Sequence, residues 1–342
     1  EPDKEFPYIR KGSGLIMKKT LLALLVAGVA TSAQAKVELF KDDASSVSVK
    51  GEIATFLYTS DYDHKTDNTK DVKTDLDVNA WAKVQFDFSH KVTDTLTAGG
   101  TFEIQSGTGF KKSDNNAEFD DVAAYLKGDF GLVGIGEIGD VSDSNDAVSK
   151  TDILNELDNN YLPASASDSK GHGISYTKGF GGLTLVVDAY TEAAENTDSI
   201  FGLSANYAAE IFSVGAMYQN HGDSPAVGDA AAYKDKSTWA VAADVNLGKV
   251  TLAGSYNVVS ADTVKDVKNA TLAATFAATD AFSVYGVAGM QDDGSKDDGQ
   301  EFILGASYAA SSLLTVFTEI STRDDHGKAD TTEILVGGYF DF

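Results

Sequence analysis

The 342-residue sequence contains no cysteine, only four prolines and few basic residues. The lack of cysteine excludes disulfide bridges, thiolate metal ligands and a thiol nucleophile. With 27 Lys and Arg against 52 Asp and Glu, the net charge of −25 argues against nucleic-acid binding, which requires clustered cations. No unbroken apolar run reaches 18 residues, so the sequence predicts no transmembrane helix.

An export signal occupies residues 17–35, which read MKKTLLALLVAGVATSAQA. Lys18 and Lys19 follow the methionine, an apolar run extends from 21 to 30, and Ala33-Gln34-Ala35 has the small-residue pattern of a cleavage site. We therefore predict a signal peptide over 17–35 and interpret 1–16 as an upstream or cloning-derived segment. The mature chain, 36–342, is then expected in the envelope of a bacterium or outside the cell.

Apolar and polar residues alternate along much of the mature chain, which is typical of β-strands with one apolar face. In the segment 76–88 every even position is apolar, and Trp81 is the only apolar residue at an odd position. Sixteen segments of this kind can be counted, joined alternately by short and long connections. The long connections are 59–75, 107–117, 140–170, 191–199, 220–236, 259–267, 291–300 and 321–332.

This pattern predicts an all-β fold, a sixteen-stranded antiparallel transmembrane β-barrel with short periplasmic turns and long external loops. Transmembrane strands need about 9–11 residues, and bacterial barrels have even strand numbers. Pro163 and Pro225, the only prolines of the mature chain, fall in long connections and leave the strand ladders intact. The alternative, a soluble β-sandwich or β-solenoid, would need a core richer in Ile, Leu and Phe.

Aromatic residues cluster near the ends of the predicted strands, as in the interfacial girdles on a barrel exterior. Those beside the short turns are Phe86, Phe88, Phe130, Phe180, Tyr207, Phe282 and Tyr308. Those beside the long loops are Phe56, Tyr58, Phe110, Tyr190 and Tyr256. We predict that both groups lie on the outer surface.

The last nine residues, ILVGGYFDF, form a strand that ends in phenylalanine and resembles the assembly signal of Gram-negative outer-membrane barrels. The whole mature chain resembles the general diffusion porins, a family of trimeric sixteen-stranded barrels. Three stretches carry the resemblance in order: KVELFKDDASSVSVKGEIATFLY, DDVAAYLKGDFGLVGIGEIGD and KGHGISYTKGFGGLTLVVDAY. The resemblance implies a water-filled outer-membrane channel for passive diffusion of small hydrophilic solutes and ions, without a cofactor.

The resemblance also implies that the third long connection folds into the barrel and narrows the pore. Ser149, with Asp152 three residues later, predicts a capped helix start in this connection. We expect its acidic residues to form the negative side of the constriction: Asp143, Asp146, Asp152, Glu156 and Asp158. A solvated acidic loop outside the barrel is the alternative, since charge runs are commonly exposed.

In the family, the opposite pore wall carries a ladder of basic residues. Lys50 and Lys83 match two of its positions, whereas Asp120 and Asp121 stand near the third. Arg323, the only arginine of the mature chain, falls in the last long connection. The expected pore-wall residues are Lys50, Glu52, Asp77, Lys83 and Glu103. A wall with so few cations should favour cations over anions.

The resemblance implies that the last strand pairs with the first, that Lys36 lies near the Phe342 carboxylate, and that Phe340 and Phe342 take part in assembly. It implies a homotrimer that makes contact through the outward faces of 47–58 and 76–88. The other expected partners are outer-membrane lipid and lipopolysaccharide, the barrel assembly machinery, and small hydrophilic solutes and ions, but no nucleic acid.

Enzymatic and metal-binding functions have little support in the sequence. The five histidines are not accompanied by a hydrolase signature: His64, His90, His172, His221 and His326. Asp292-Asp293 and Asp297-Asp298 lack EF-hand spacing and are interpreted as surface charge. We therefore expect neither catalysis nor a metal site. A solute-specific channel and a structural or adhesive barrel stay open as alternatives.

Overall fold

A computed structural model of the protein describes residues 36–106, 117–162, 172–194, 196–224, 232–262 and 264–342. The predicted signal peptide, Phe110, Pro163 and Pro225 lie outside these ranges. Within them, no helix is both long enough and apolar enough to cross a membrane.

Eighteen strands dominate the described residues and are numbered in chain order. They are β1 (Val37–Lys41), β2 (Ser45–His64), β3 (Val72–Lys73), β4 (Asp77–Thr93), β5 (Leu96–Ser106), β6 (Ala117–Gly128), β7 (Gly131–Gly136), β8 (Gly173–Phe180), β9 (Leu183–Tyr190), β10 (Ile200–Ala208), β11 (Phe212–Ser224), β12 (Tyr233–Asn246), β13 (Val250–Ala261), β14 (Val264–Ala277), β15 (Phe282–Asp292), β16 (Gly299–Ala309), β17 (Leu314–Asp324) and β18 (Ala329–Asp341). Four 3₁₀ helices accompany them: Asn68–Lys70, Ile138–Asp140, Ser144–Ala147 and Ser149–Thr151.

Sixteen of these strands, β2 and β4–β18, form a closed antiparallel barrel. β2 pairs with β4, and each later strand pairs with its successor. β18 then pairs with β2, placing Ala329 opposite His64 and Asp341 opposite Glu52. The closed ladder leaves no open sheet edge, which is the condition for a sheet to lie in lipid. The predicted sixteen-stranded barrel is confirmed.

The short strand β1 extends the last strand of the barrel. Phe342 exchanges two backbone hydrogen bonds with Gly51, and Val37 lies opposite Val49 on the same edge of β2. β1 therefore continues the line of β18 just beyond the last residue of the chain. Phe342 also lies against Gly51, where an added Cβ would be 2.3 Å from its ring.

Alternation along each strand separates an outer face from a luminal face. On β2 and β4, Ile53, Leu57 and Val78 are exposed on the outside, whereas Glu52 and Lys83 are buried within the barrel. Because the side-chain period is two, a register slip of one residue would place these charges in lipid. The alternation that predicts the strands therefore also identifies the luminal side chains.

Two connections predicted to be long are short. β13 and β14 remain paired as far as Ala261 opposite Val264, and β17 and β18 as far as Asp324 opposite Asp330. Arg323, predicted to lie in a loop, is therefore in β17, opposite Thr331. Backbone pairing continues beyond the apolar part of each hairpin, because ladder hydrogen bonds do not require apolar side chains.

The aromatic residues confirm the outer girdle beside the short turns and only in part beside the long loops, where Tyr256 packs on the exposed Trp239. Beside the short turns, Phe130, Phe180 and Tyr308 are exposed on the outside. Beside the long loops, Phe56, Tyr58 and Tyr190 are instead covered within the barrel. The prediction was wrong for these three, because each occupies a position that points into the barrel in the alternation of its own strand.

Candidate functional site

The third long connection, which follows β7, lies inside the barrel. β7 is short and ends at Gly136, whose φ of +117° is favourable only for glycine. Ser142 Oγ then donates to Ser175 Oγ of β8 at 2.6 Å, and Ser144 N donates to Asp188 of β9 at 2.7 Å. The connection is thus attached to the inner wall from its first turn, and the alternative of a solvated external loop is wrong for its described part.

Side-chain capping begins earlier in this connection than predicted. The carboxylate of Asp143 accepts from Asn145 N at 2.8 Å and caps the helix Ser144–Ala147. The predicted cap, Ser149, makes no capping bond; its hydroxyl donates to Asn145 O at 3.0 Å. One of the acids expected to face the pore is therefore engaged in holding the local backbone.

Lys150 fastens the next part of the connection to the wall. Its ammonium donates to Asn206 Oδ1 at 2.9 Å and Ser213 Oγ at 2.6 Å, and lies 3.5 Å from the Asp244 carboxylate. Burial lowers the pKa of Lys150, and Asp244 opposes that shift. This lysine is directed towards the wall rather than towards the permeation path.

The connection also packs tightly on the backbone of the wall. At Gly215 of β11, an added Cβ would lie only 1.8 Å from the carbonyl oxygen of Ala147. A glycine is required here by the approach of another backbone, not by a left-handed conformation. The inner surface of β11 therefore has a shape that fits the third connection.

Glu319 of β17 holds the tip of the connection. Its carboxylate accepts from the backbone amides of Asn155, Glu156 and Leu157 at 2.7, 3.1 and 2.8 Å. The Tyr285 hydroxyl donates to the same carboxylate at 2.9 Å. Hydrogen bonds to an ionised acceptor are about twice as strong as neutral ones, so this is a strong polar attachment.

Apolar contacts support the same segment. Leu154 and Leu157 are buried in a cluster with wall residues that include Val287, Ile303 and Phe317. Full burial of each leucine stabilises this arrangement by about 1.5–3 kcal/mol. The lumen is therefore not polar throughout, because part of its wall is a platform for the third connection.

Glu156 projects from this tip towards β4. The Trp81 indole donates to its carboxylate at 3.1 Å. Burial raises the pKa of Glu156 to about 7; its polar neighbours Tyr339 and Trp81 act in the opposite direction, and the charges of Glu319 and Asp158 raise it further. A group with this pKa changes its charge near neutral pH.

Across β18, β2 and β4, the register places Asp341, Glu52 and Lys83 in one transverse row. The Lys83 ammonium lies 3.6 Å from the Glu103 carboxylate and 5.5 Å from the centroid of the Trp81 ring. Lys83 is thus accompanied by Glu52 and Glu103 on its own wall. The Glu103 carboxylate forms an ion pair with it.

The remaining predicted residues are distributed along the barrel. Asp152 is buried, Asp146 and Asp158 are partly exposed, and Lys50 shares the inward face of β2 with Glu52. Asp77 lies exposed at the outer end of β4, where its carboxylate accepts from Val78 N at 2.9 Å. Their roles in permeation stay predictions.

The residues predicted to take part in barrel closure lie on both faces of the seam, which is the junction between β18 and β2. Phe340 is exposed on the outside, and Lys36 Nζ lies 2.9 Å from the Asp87 carboxylate on the inside. The position of Lys36 just beyond Phe342 along the seam follows from the register. Its predicted pairing with the Phe342 carboxylate stays a prediction.

Two luminal acids that anchor the connection were missed as site residues. Glu319 and Glu301 are fully buried, and Glu301 accepts from the backbone and side-chain amides of Asn160 at 2.9 and 2.6 Å. Alternation in β16 and β17 could have placed both on the inward face. It could not have identified which loop segment each one binds.

One group of acids within the described ranges has a geometry that could hold a cation. Ligand atoms of Glu103, Asp120 and Asp121 all lie within 4.8 Å of one another. Carboxylate oxygens suit Ca²⁺ or Mg²⁺, but the Lys83 ammonium beside Glu103 already compensates part of the charge. In the acidic loop pair, Asp292 and Asp293 accept from Gly294 N and Ser295 N and so form turns.

Comparison with known proteins gives matches over most of the chain. The sequence profile of the Gram-negative porins matches residues 20–328. No curated protein sequence matches this chain.

Three solved structures illustrate the similarity in fold. Salmonella typhi OmpF in complex with daunomycin is 15% identical, with a TM-score of 0.68 over 90% of this chain and 100% of that one. A mutant of the Rh. blastica porin is 17% identical, with a TM-score of 0.65 over 86% and 100%. OmpT of Vibrio cholerae, described as a trimer form, is 16% identical, with a TM-score of 0.64 over 88% and 100%.

Proposed function

This chain belongs to the Gram-negative porin family, and we propose that its constriction makes it a cation-favouring member. The protein is an outer-membrane diffusion channel that crosses the membrane with its barrel strands. Diffusion through such a channel is passive, and charged groups lining the narrow part select among ions. The net charge of that lining therefore decides the preference.

The balance of charge around Lys83 is the observation that supports this proposal. Glu52 and Glu103 lie on its own wall, and Glu156 lies beyond the intervening Trp81 ring. Lys150, which lies in the described part of the third connection, is bound to the opposite wall by Asp244 and its neighbours. Carboxyl groups thus outnumber ammonium groups where the path is narrowed, and each one that is ionised attracts cations and repels anions.

The test is the reversal potential of single channels in planar bilayers under a KCl gradient. We expect the wild-type potential to have the sign for K⁺ over Cl⁻, and Asp158→Asn to move it towards zero. Asp280→Asn, in the exposed turn between β14 and β15, is the matched control and should leave it unchanged. A wild-type preference for Cl⁻ would refute the proposal.

A homotrimer is the second part of the proposal. An apolar groove on the outer wall of β2, β4 and β15–β18 is lined by residues that include Leu57, Val78 and Val336, with Gly338 at the same surface. It overlaps the outward faces predicted to form the trimer contact, and one structure similar in fold is described as a trimer. Val336→Trp, on the exposed face of the groove, should reduce trimer recovery on native gels, whereas Gly179→Trp, in open space, should not. Equal trimer recovery from both variants would refute this contact.

The other proposed partners are lipopolysaccharide at the outer rim, the barrel assembly machinery during insertion, and small hydrophilic solutes in the pore. We also propose that transport involves no catalysed reaction. Liposome swelling with neutral sugars of increasing size tests the solute range. A general channel should show a smooth decline in rate with size, whereas a high rate for one sugar alone would indicate a solute-specific channel.

A further inference from the structure

Asn160 and Tyr161 lie near the end of the described part of the third connection, beyond the tip that Glu319 holds. Tyr161 carries a large aromatic ring, yet only 4% of its surface is exposed. Burial of an aromatic ring removes a large apolar area from water, so the ring needs a site in the wall that fits it. The residues of the wall around Tyr161 form such a site.

Three neighbouring strands present one row of residues to this part of the third connection. The register places Thr271 of β14 opposite Gly289 of β15, and Gly289 opposite Glu301 of β16. All three residues are buried, and the alternation of their strands places them on the luminal face. The row therefore offers, in order, a hydroxyl, a gap where a side chain is missing, and a carboxylate.

Each position of this row contacts a different part of Asn160 and Tyr161. Thr271 Oγ1 donates to the carbonyl oxygen of Tyr161 at 3.0 Å, and Glu301 accepts from the backbone and side-chain amides of Asn160. Between them, a Cβ added at Gly289 would lie 2.7 Å from Cδ2 of the Tyr161 ring and 3.3 Å from the Tyr161 Cβ. The ring therefore occupies the space that a side chain at position 289 would take.

A second glycine lies at the hydroxyl end of the ring. A Cβ added at Gly299 of β16 would lie 2.5 Å from the Tyr161 hydroxyl and 3.0 Å from Nε2 of His326. Neither Gly289 nor Gly299 has a positive φ. Glycine is therefore required at both positions by the close approach of the ring, and not by the conformation of the backbone.

We propose that Tyr161 is a positioning residue for the constriction, and that Gly289 and Gly299 form a glycine socket for its ring. Glu319 holds the tip of the third connection, and the glycine socket holds the segment that follows the tip. Asp158 lies between these two attachments, so both of them set its distance from the wall. Without the ring, hydrogen bonds would hold that segment, and each contributes little net stability in the presence of water.

Fluctuations of the open-channel current in planar bilayers measure how firmly the constriction is held. Tyr161→Ala removes the ring, and loss of a buried aromatic side chain weakens packing enough for the fluctuation frequency to rise by about tenfold or more. Tyr161→Phe keeps the ring in the glycine socket and should retain the wild-type frequency. Tyr218→Ala is the control, because it removes a ring of the same kind from the exposed outer face of β11.

Gly289→Val tests the same contact from the wall and leaves Tyr161 in place. The added side chain should displace the ring and raise the fluctuation frequency as Tyr161→Ala does. The double variant should show no further increase, because both substitutions remove one shared contact. Gly179→Val is the control, since an added Cβ there meets nothing within 4 Å. If Gly289→Val does not assemble, Gly289→Ala makes the same test, because its Cβ alone would overlap the ring.

Three results would each refute the positioning role of Tyr161. They are a wild-type fluctuation frequency in Tyr161→Ala, an equal rise in Tyr161→Phe and Tyr161→Ala, and additive effects of Tyr161→Ala and Gly289→Val. The recordings measure the steadiness of the open level. Their outcome therefore does not depend on whether the channel favours cations or anions.

Discussion

Ionisation of Glu156 should make ion selectivity depend on pH near neutrality. Burial of this carboxyl on the third connection raises its pKa from the ordinary 4.5 to about 7. Below that pH the group is mostly neutral, and above it the group adds a negative charge beside Trp81 and opposite Lys83. Cation preference should therefore increase as the pH rises from 5.5 to 8.5.

The size of the effect follows from Coulomb's law. A unit charge acting on a monovalent ion at about 6 Å in a water-filled pore changes its energy by about 0.7 kcal/mol. The local cation concentration then rises about threefold and the local anion concentration falls by a similar factor. Screening over a Debye length of about 10 Å at 0.1 M salt reduces both changes. We therefore expect the K⁺/Cl⁻ permeability ratio to rise by about threefold to tenfold.

Reversal potentials at pH 5.5, 7 and 8.5 measure this change directly. Glu156→Gln removes the titrating group but retains an acceptor for the Trp81 indole, so it should give the low-pH ratio throughout. The reasoning is refuted if Glu156→Gln retains the full pH dependence.

The raised pKa of Glu156 also has a consequence for stability. Between about pH 4.5 and pH 7 the folded chain holds this proton and the unfolded chain releases it. The stabilisation from the protonated form is therefore fully present below pH 4.5 and is lost as the pH rises through 7.

Two substitutions test the attachment of the third connection. Gly215→Ala should lower single-channel conductance, because Ala147 O must retreat about 1.6 Å towards the pore axis to reach an ordinary contact distance of 3.4 Å. Gly179→Ala is the control, because an added Cβ there meets nothing within 4 Å. Equal conductances of the two variants would contradict the close packing. Glu319→Gln should lower the temperature of unfolding in detergent, because it weakens hydrogen bonds to a charged acceptor that are worth about 1.5–3 kcal/mol each. An unchanged unfolding temperature would argue against the anchoring role of this carboxylate.

Much of the barrel could be predicted from the sequence because strand alternation is a local property. The even positions of 76–88 are apolar, and β4 does present them to the outside. Strand ends were less predictable, as Arg323 illustrates, because pairing depends on the neighbouring strand rather than on hydropathy. Phe56 and Tyr58 show that aromatic character alone does not determine whether a side chain faces the outside or the lumen. Its odd or even position along the strand does.

For the site, the sequence predicted which segment of the chain forms it and that its charge is negative, but not what each acidic residue does. Asp143 and Glu156 both lie in the infolded connection, yet one caps a helix while the other points to the pore wall. Nothing in the local pattern distinguishes them, because the difference depends on where the loop meets the wall. The same holds for Glu319, which is acidic and luminal by alternation but binds a segment more than 160 residues away in sequence.

The scarcity of proline, the alternation and the excess of acids therefore determined the architecture and the expected sign of selectivity, because all three depend on composition and period. Tertiary structure alone decided which charged side chains have a neighbouring group that compensates their charge. It set Lys83 beside Glu103, directed Lys150 into the wall and bound the tip of the third connection to Glu319. Electrostatic energy depends on distance and surroundings, and folding brings together groups that are far apart in the sequence.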